Sequence, residues 1–125
     1  MSAHSPGTRP LVIAVVPDLL FATRISETAR TAGIELEHVP LAELAARVAE
    51  RGPDRVVMDL TVPDPTATIA ALRGQPGLAG LAIVGFYPHV DDALRRSALA
   101  AGATHVLPRS AFTTKLAEVL AGTFP

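Results

Sequence analysis

Two aspartates and one arginine are the residues of this chain best placed to do chemistry. Asp18 follows the apolar run LVIAVV of Leu11 to Val16 after a single proline, Asp59 sits at the end of RVVMDL, and Arg109 follows THVL and Pro108. A polar side chain leaving the end of a buried strand enters the zone where α/β proteins assemble ligand sites. Gly85, in LAIVGF, belongs to the same level. Asp18 also stands directly before a helix, where an aspartate accepts a backbone N–H bond as an N-cap and contributes about 1 kcal/mol; the cap is the favoured reading. His89, Asp91 and Asp92 of PHVDD offer one imidazole and two carboxylates. Acids at a helix start complement its dipole, so capping is expected there rather than a metal centre. His38 and His105 are isolated and read as structural or solvent-facing. No catalytic triad and no glycine-rich phosphate loop is present. Without cysteine, disulfides, thiolate zinc sites and cysteine nucleophiles are all excluded.

The elements that must carry these residues follow from hydrophobic periodicity. Leu11 to Val16 is a β-branched apolar run, as in a strand buried on both faces, and Pro17 stops it. A helix follows, with Ala22, Ile25, Ala29 and Ala32 at helical spacing and Gly33 as its stop. Glu35 to Val39 is a more polar strand, and Leu41, Leu44, Ala45 and Val48 line a helix ending near Arg51 and Gly52. Arg55 to Leu60 is a third strand, and Thr66 to Leu72 a short helix after Pro63 and Pro65. Leu81 to Phe86 is a fourth strand, with a helix from Asp91 and Asp92 to Ala101. Thr104 to Leu107 is a fifth, and Phe112, Leu116, Val119 and Leu120 line one terminal helix. Strands alternating with helices imply parallel pairing through right-handed crossovers, hence one sheet with helices on both faces.

Composition narrows the function classes. At 125 residues, 49% of them hydrophobic, the chain can bury one core and not two. Residues 1–10 read as a mobile tail and 11–125 as one domain. A net charge of -1 provides no basic field for a phosphate backbone or an anionic membrane, and the scarcity of aromatics, with no tryptophan and one tyrosine, removes stacking platforms for single strands. Nucleic acid and membrane are therefore not expected partners. No apolar run is long enough for a signal peptide or a membrane span, so a soluble cytoplasmic protein is expected.

At this point the chain resembles the receiver family of two-component response regulators, from Leu11 to about Leu120. MDLTVPD at Met58 to Asp64 is similar to the family's loop of phospho-acceptor aspartate and a proline four residues on, matched by Asp59 and Pro63. VVPD at Val15 to Asp18 resembles the family's acidic pair, and AGATHVLPRS at Ala101 to Ser110 its fifth-strand signature ending in an essential lysine. The resemblance implies a five-stranded parallel sheet of order 2-1-3-4-5, flavodoxin-like, in a bacterial phosphorelay protein. It also implies Asp59 as phosphoryl acceptor, assisted by Mg²⁺.

Each departure from the pattern removes a physical part of that reaction. Pro17 occupies the first acidic position, leaving Asp18 and Asp59 as the carboxylates for a weakened Mg²⁺ site. Gly85 replaces the hydroxyl residue that bonds the phosphoryl group, and Phe86 fills the normally small next position. Arg109 stands for the lysine and Ser110 for a proline; Lys115, the only lysine, lies within the last helix and does not substitute for it. An Arg109 to Asp59 clamp is expected, since a guanidinium pairs bidentately with a carboxylate. Val106 replaces the aromatic residue that helps to transmit the active state. The expected function is a stand-alone, atypical receiver, not an enzyme, that binds a signalling protein or histidine kinase. Its expected contact face is the fourth helix, fifth strand and fifth helix, with Arg95, Arg96, His105 and Phe112. Self-association through that face would give a two-fold homodimer. The alternative is self-catalysed aspartyl phosphorylation at Asp59. A flavodoxin-like small-ligand binder is a third reading, opposed by PDLLFAT at Pro17 to Thr23, which lacks a Ser/Thr/Gly-rich phosphate cradle.

Overall fold

A computed structural model describes residues 9–89 and 91–124; apart from Arg9 and Pro10, the expected N-terminal tail lies outside the described residues. The elements are β1 (Leu11–Val15), α1 (Leu19–Thr31), β2 (Glu35–His38), a 3₁₀ turn (Leu41–Glu43), α2 (Leu44–Arg51), β3 (Arg55–Asp59), α3 (Pro65–Arg73), β4 (Ala82–Tyr87), α4 (Asp92–Ala101), β5 (His105–Pro108), α5 (Arg109–Thr114) and α6 (Leu116–Ala121). All strands are parallel, as the alternation of elements predicts, and their order is β2-β1-β3-β4-β5, as the receiver resemblance implies. The two-residue side-chain period divides the core between two helix layers. Val12, Ala14, Val57, Val84 and Phe86 pack with residues of α1, α5 and α6; Ile13, Val15, Val56, Met58 and Ile83 pack with residues of α2, α3 and α4.

Strand boundaries differ from the sequence reading by one residue: the first three strands end one residue sooner, at Val15, His38 and Asp59, and the fourth and fifth are displaced one residue onward, to Ala82–Tyr87 and His105–Pro108. The expected single terminal helix is instead two, broken at Lys115, whose backbone leaves helical geometry (φ -101°, ψ 14°). Thr113 and Thr114 donate their hydroxyls back to the carbonyls of Arg109 and Ser110, a local competition that weakens a helix and bends it.

The amino end of the sheet is closed by side chains bonded to backbone. Asp54 accepts the Leu11 N–H at 2.8 Å. Arg55 donates to the Leu120 carbonyl at 2.8 Å; Gly122 beside it has φ 81°, a conformation that favours glycine, and a Cβ there would displace the Arg55 guanidinium. Arg73 donates to the carbonyls of Gly102 and Leu78, both at 2.8 Å. The β2 edge carries Glu35 and Glu37, ion-paired to Arg51 and Arg47 of α2, a charged edge that discourages strand addition. Among the described residues no helix is long and apolar enough to cross a membrane.

Candidate functional site

The register of the sheet places Asp59 beside the end of β1 on one flank and opposite Phe86 of β4 on the other. Among the described residues Asp59 is the one buried charged residue, 7% exposed. Its Oδ1 accepts the backbone N–H of Thr61 at 2.9 Å and the Thr61 hydroxyl at 2.7 Å, the local turn that aspartate favours after a strand. Among the described residues Asp59 forms no ion pair, and no hydrogen bond reaches Oδ2. Since no buried side-chain oxygen or nitrogen there lacks a partner, Oδ2 opens to the surface.

The expected Arg109 to Asp59 clamp does not form. Arg109 instead donates to Asp18 Oδ2 at 3.2 Å, and its guanidinium carbon lies 3.9 Å above the centre of the Phe21 ring. Two causes hold it there. Arg109 opens α5 directly after Pro108, and the α1 side of the sheet offers it both a carboxylate and an aromatic face, the partners a guanidinium takes together. Phe21 belongs to a cluster with Phe86 (centroids 5.3 Å apart) and Phe112 (6.0 Å), and Phe86 stacks on Phe112 at 4.5 Å. Asp18 is N-cap of α1 as expected: Oδ1 accepts the Phe21 N–H at 3.1 Å. That backbone bond, and then Arg109, hold its carboxyl below the ordinary value of 3.8.

On the opposite face of β4, Gly85 is covered. A Cβ built there would stand 2.8 Å from Leu60 Cδ2 and 2.9 Å from Cδ1 and Cγ. Leu60 is itself buried and is fixed by its N–H bond to the Phe86 carbonyl at 2.9 Å. The space where a hydroxyl side chain would rise is therefore filled by a leucine. Sequence reasoning found the missing hydroxyl but not its occupant, because Leu60 reads as an ordinary strand residue; only the pairing of β3 with β4 brings the two together.

Phe112 requires a second correction. It was expected on an exposed contact face, yet it is fully buried; the stripe it shares with Leu116, Val119 and Leu120 is the core face of the chain's end. Arg95 and Arg96 are exposed. His105 is half-buried, its ring edge-on to Phe124 at 4.9 Å. Val106 is buried among the α2, α3 and α4 core residues. Asp91 caps α4 through Leu94 N–H at 3.0 Å, with Asp92 in the first turn and His89 exposed. His38 Nε2 lies 2.7 Å from the Ser26 hydroxyl. Among the described residues no three His, Cys, Asp or Glu side chains converge on a metal position. Asp18 and Asp59 fit Mg²⁺ poorly, because Asp18 already holds a helix start and a guanidinium.

No family model matches the sequence, and no curated protein matches it. Solved structures do match. The chemotaxis response regulator CheY4 of Vibrio cholerae is 22% identical, over 94% of this chain and 100% of that one, with a TM-score of 0.81. A response regulator from Hahella chejuensis is 20% identical over 92% and 95%, TM-score 0.81. The phosphorylated cyanobacterial phytochrome response regulator RcpA is 17% identical over 92% and 91%, TM-score 0.76. The chain has the fold of response-regulator receiver domains.

Proposed function

We infer that this chain is a signalling domain on the receiver fold that acts by binding a protein partner, with phosphoryl transfer at Asp59 lost. The observation that carries the reading is the filling of the Gly85 position by Leu60, reinforced by the turning of Arg109 to Asp18. A phosphoryl group spreads charge over three oxygens and needs donors or cations around it. Beside Asp59 the hydroxyl expected at position 85 is replaced by the Leu60 side chain, the Thr61 hydroxyl is already bonded to Asp59 Oδ1, and Arg109 is held by Asp18. The open Oδ2 of Asp59 supports the second reading, an acceptor that still reacts. A cytoplasmic location fits the signalling role.

The test is whether the pocket holds a phosphoryl-shaped anion. Addition of Mg²⁺ and beryllium trifluoride to ¹⁵N-labelled protein should leave the amide resonances of Asp59, Thr61 and Gly85 in place. Saturable shifts at those three positions, absent in Asp59→Asn, would establish the phosphorylatable receiver instead.

A further inference from the structure

The carboxyl end of the sheet carries an apolar cleft that the reading above leaves unused. It has a volume of about 450 Å³ and is walled by Pro17, Leu19, Val39, Leu41, Val62 and Pro63. A second hollow of about 480 Å³ continues past Leu19 along α1 to His38. Leu19 and Leu20 stand 80% and 85% exposed, the two exposed large hydrophobic residues of the domain among those described. Adjoining apolar surface of this kind at one end of a domain marks an interaction site.

The segment from Asp59 to Pro63 joins this cleft to the unpaired carboxylate. Asp59 contributes the buried charge, and Val62 and Pro63, three and four residues on, form one wall of the cleft. Asp59 Oδ2 is open and takes no hydrogen bond or ion pair among the described residues, so it can accept a charged donor. Arg109 is turned to Asp18 and Phe21, which leaves that oxygen to a basic group from a partner.

Taking Asp59 as a docking rather than a phosphorylated residue, we propose that this end of the sheet binds a protein segment presenting a lysine or arginine beside large apolar side chains. The basic group meets Asp59 Oδ2 and the apolar side chains fill the cleft beside Leu19. Charge complementarity fixes the register, and the apolar contact supplies the buried area.

A library of random twelve-residue peptides displayed on phage and selected on the full chain tests this. Enriched peptides should share a Lys or Arg adjacent to Leu, Ile, Met or Phe, and should bind wild type at least about tenfold more tightly than Asp59→Asn. Asparagine keeps the acceptor that Thr61 uses, so the fold should be retained, as a thermal melt will check. The double variant Leu19→Asp/Leu20→Asp, altered only at exposed sites, should lose binding, and bound peptide should shift the amides of residues 59–62 and 19–20. Absence of enrichment, peptides without a basic residue, or equal binding to Asp59→Asn would overturn the proposal. So would a dimer in sedimentation equilibrium that Leu19→Asp/Leu20→Asp abolishes, because the cleft would then belong to a second copy. A phosphoryl adduct on Asp59 would defeat the functional reading alone, whereas a failed selection on an unmodified Asp59 would defeat the docking site alone.

Discussion

The two ends of the sheet treat their charged residues in opposite ways. At the amino end Asp54, Arg55 and Arg73 are bonded to backbone groups of distant elements and lock the strand starts to helix ends. At the carboxyl end Asp18 and Arg109 satisfy each other at the surface, while Asp59 is buried and keeps an oxygen open. Charges at the first end serve the fold. The second end retains polar capacity that the fold does not use, and such capacity is where binding is expected in an open α/β sheet.

The largest effects should come from the packing beneath the carboxyl end. Leu60→Ala should cost about 2–5 kcal/mol as a buried truncation, and Gly85→Thr about 1–3 kcal/mol by overpacking against Leu60. In the double variant the new side chain occupies the space the leucine leaves, so its loss should fall short of the sum by about 0.5–3 kcal/mol. Chemical denaturation of the four proteins measures that cycle; strict additivity would show that the two positions do not share the space.

Next in size is the amino end. Arg73→Met removes charged hydrogen bonds to two carbonyls and should cost about 1–3 kcal/mol, with peptide binding at the other end unchanged. A change in binding would mean that the two ends are coupled. Arg109→Gln should be milder, about 1 kcal/mol, since it loses a partly exposed ion pair and a ring contact.

The smallest effect is a pH dependence. Asp18 has its carboxyl lowered in the folded state, so the unfolded chain takes up the proton first as pH falls, and stability falls with it. Asp18→Asn keeps the N-cap acceptor but not the charge. Its deficit against wild type should be fully present above the ordinary value of 3.8 and vanish as pH drops through the lower folded value. Thermal melts of both proteins across the acid range measure this.

Most of the architecture was legible because it rests on local pattern: β-branched runs, glycine stops and acids at helix starts each specify an element where they stand. Asp18 as cap and Asp59 at a strand end were read on the same grounds. What escaped was tertiary. The choice of Arg109 between two aspartates depends on Phe21, which lies 88 residues earlier in the chain. The Leu60 and Gly85 contact depends on strand register. Phe112, expected on a contact face, shares a helical stripe with Leu116, Val119 and Leu120, and that periodicity points inward to the core where it lies.

Intact mass after incubation with Mg²⁺ and acetyl phosphate tests the central claim most directly. One unmodified species is expected across the pH range in which the protein is folded. A population heavier by one phosphoryl group that disappears in Asp59→Asn would contradict it.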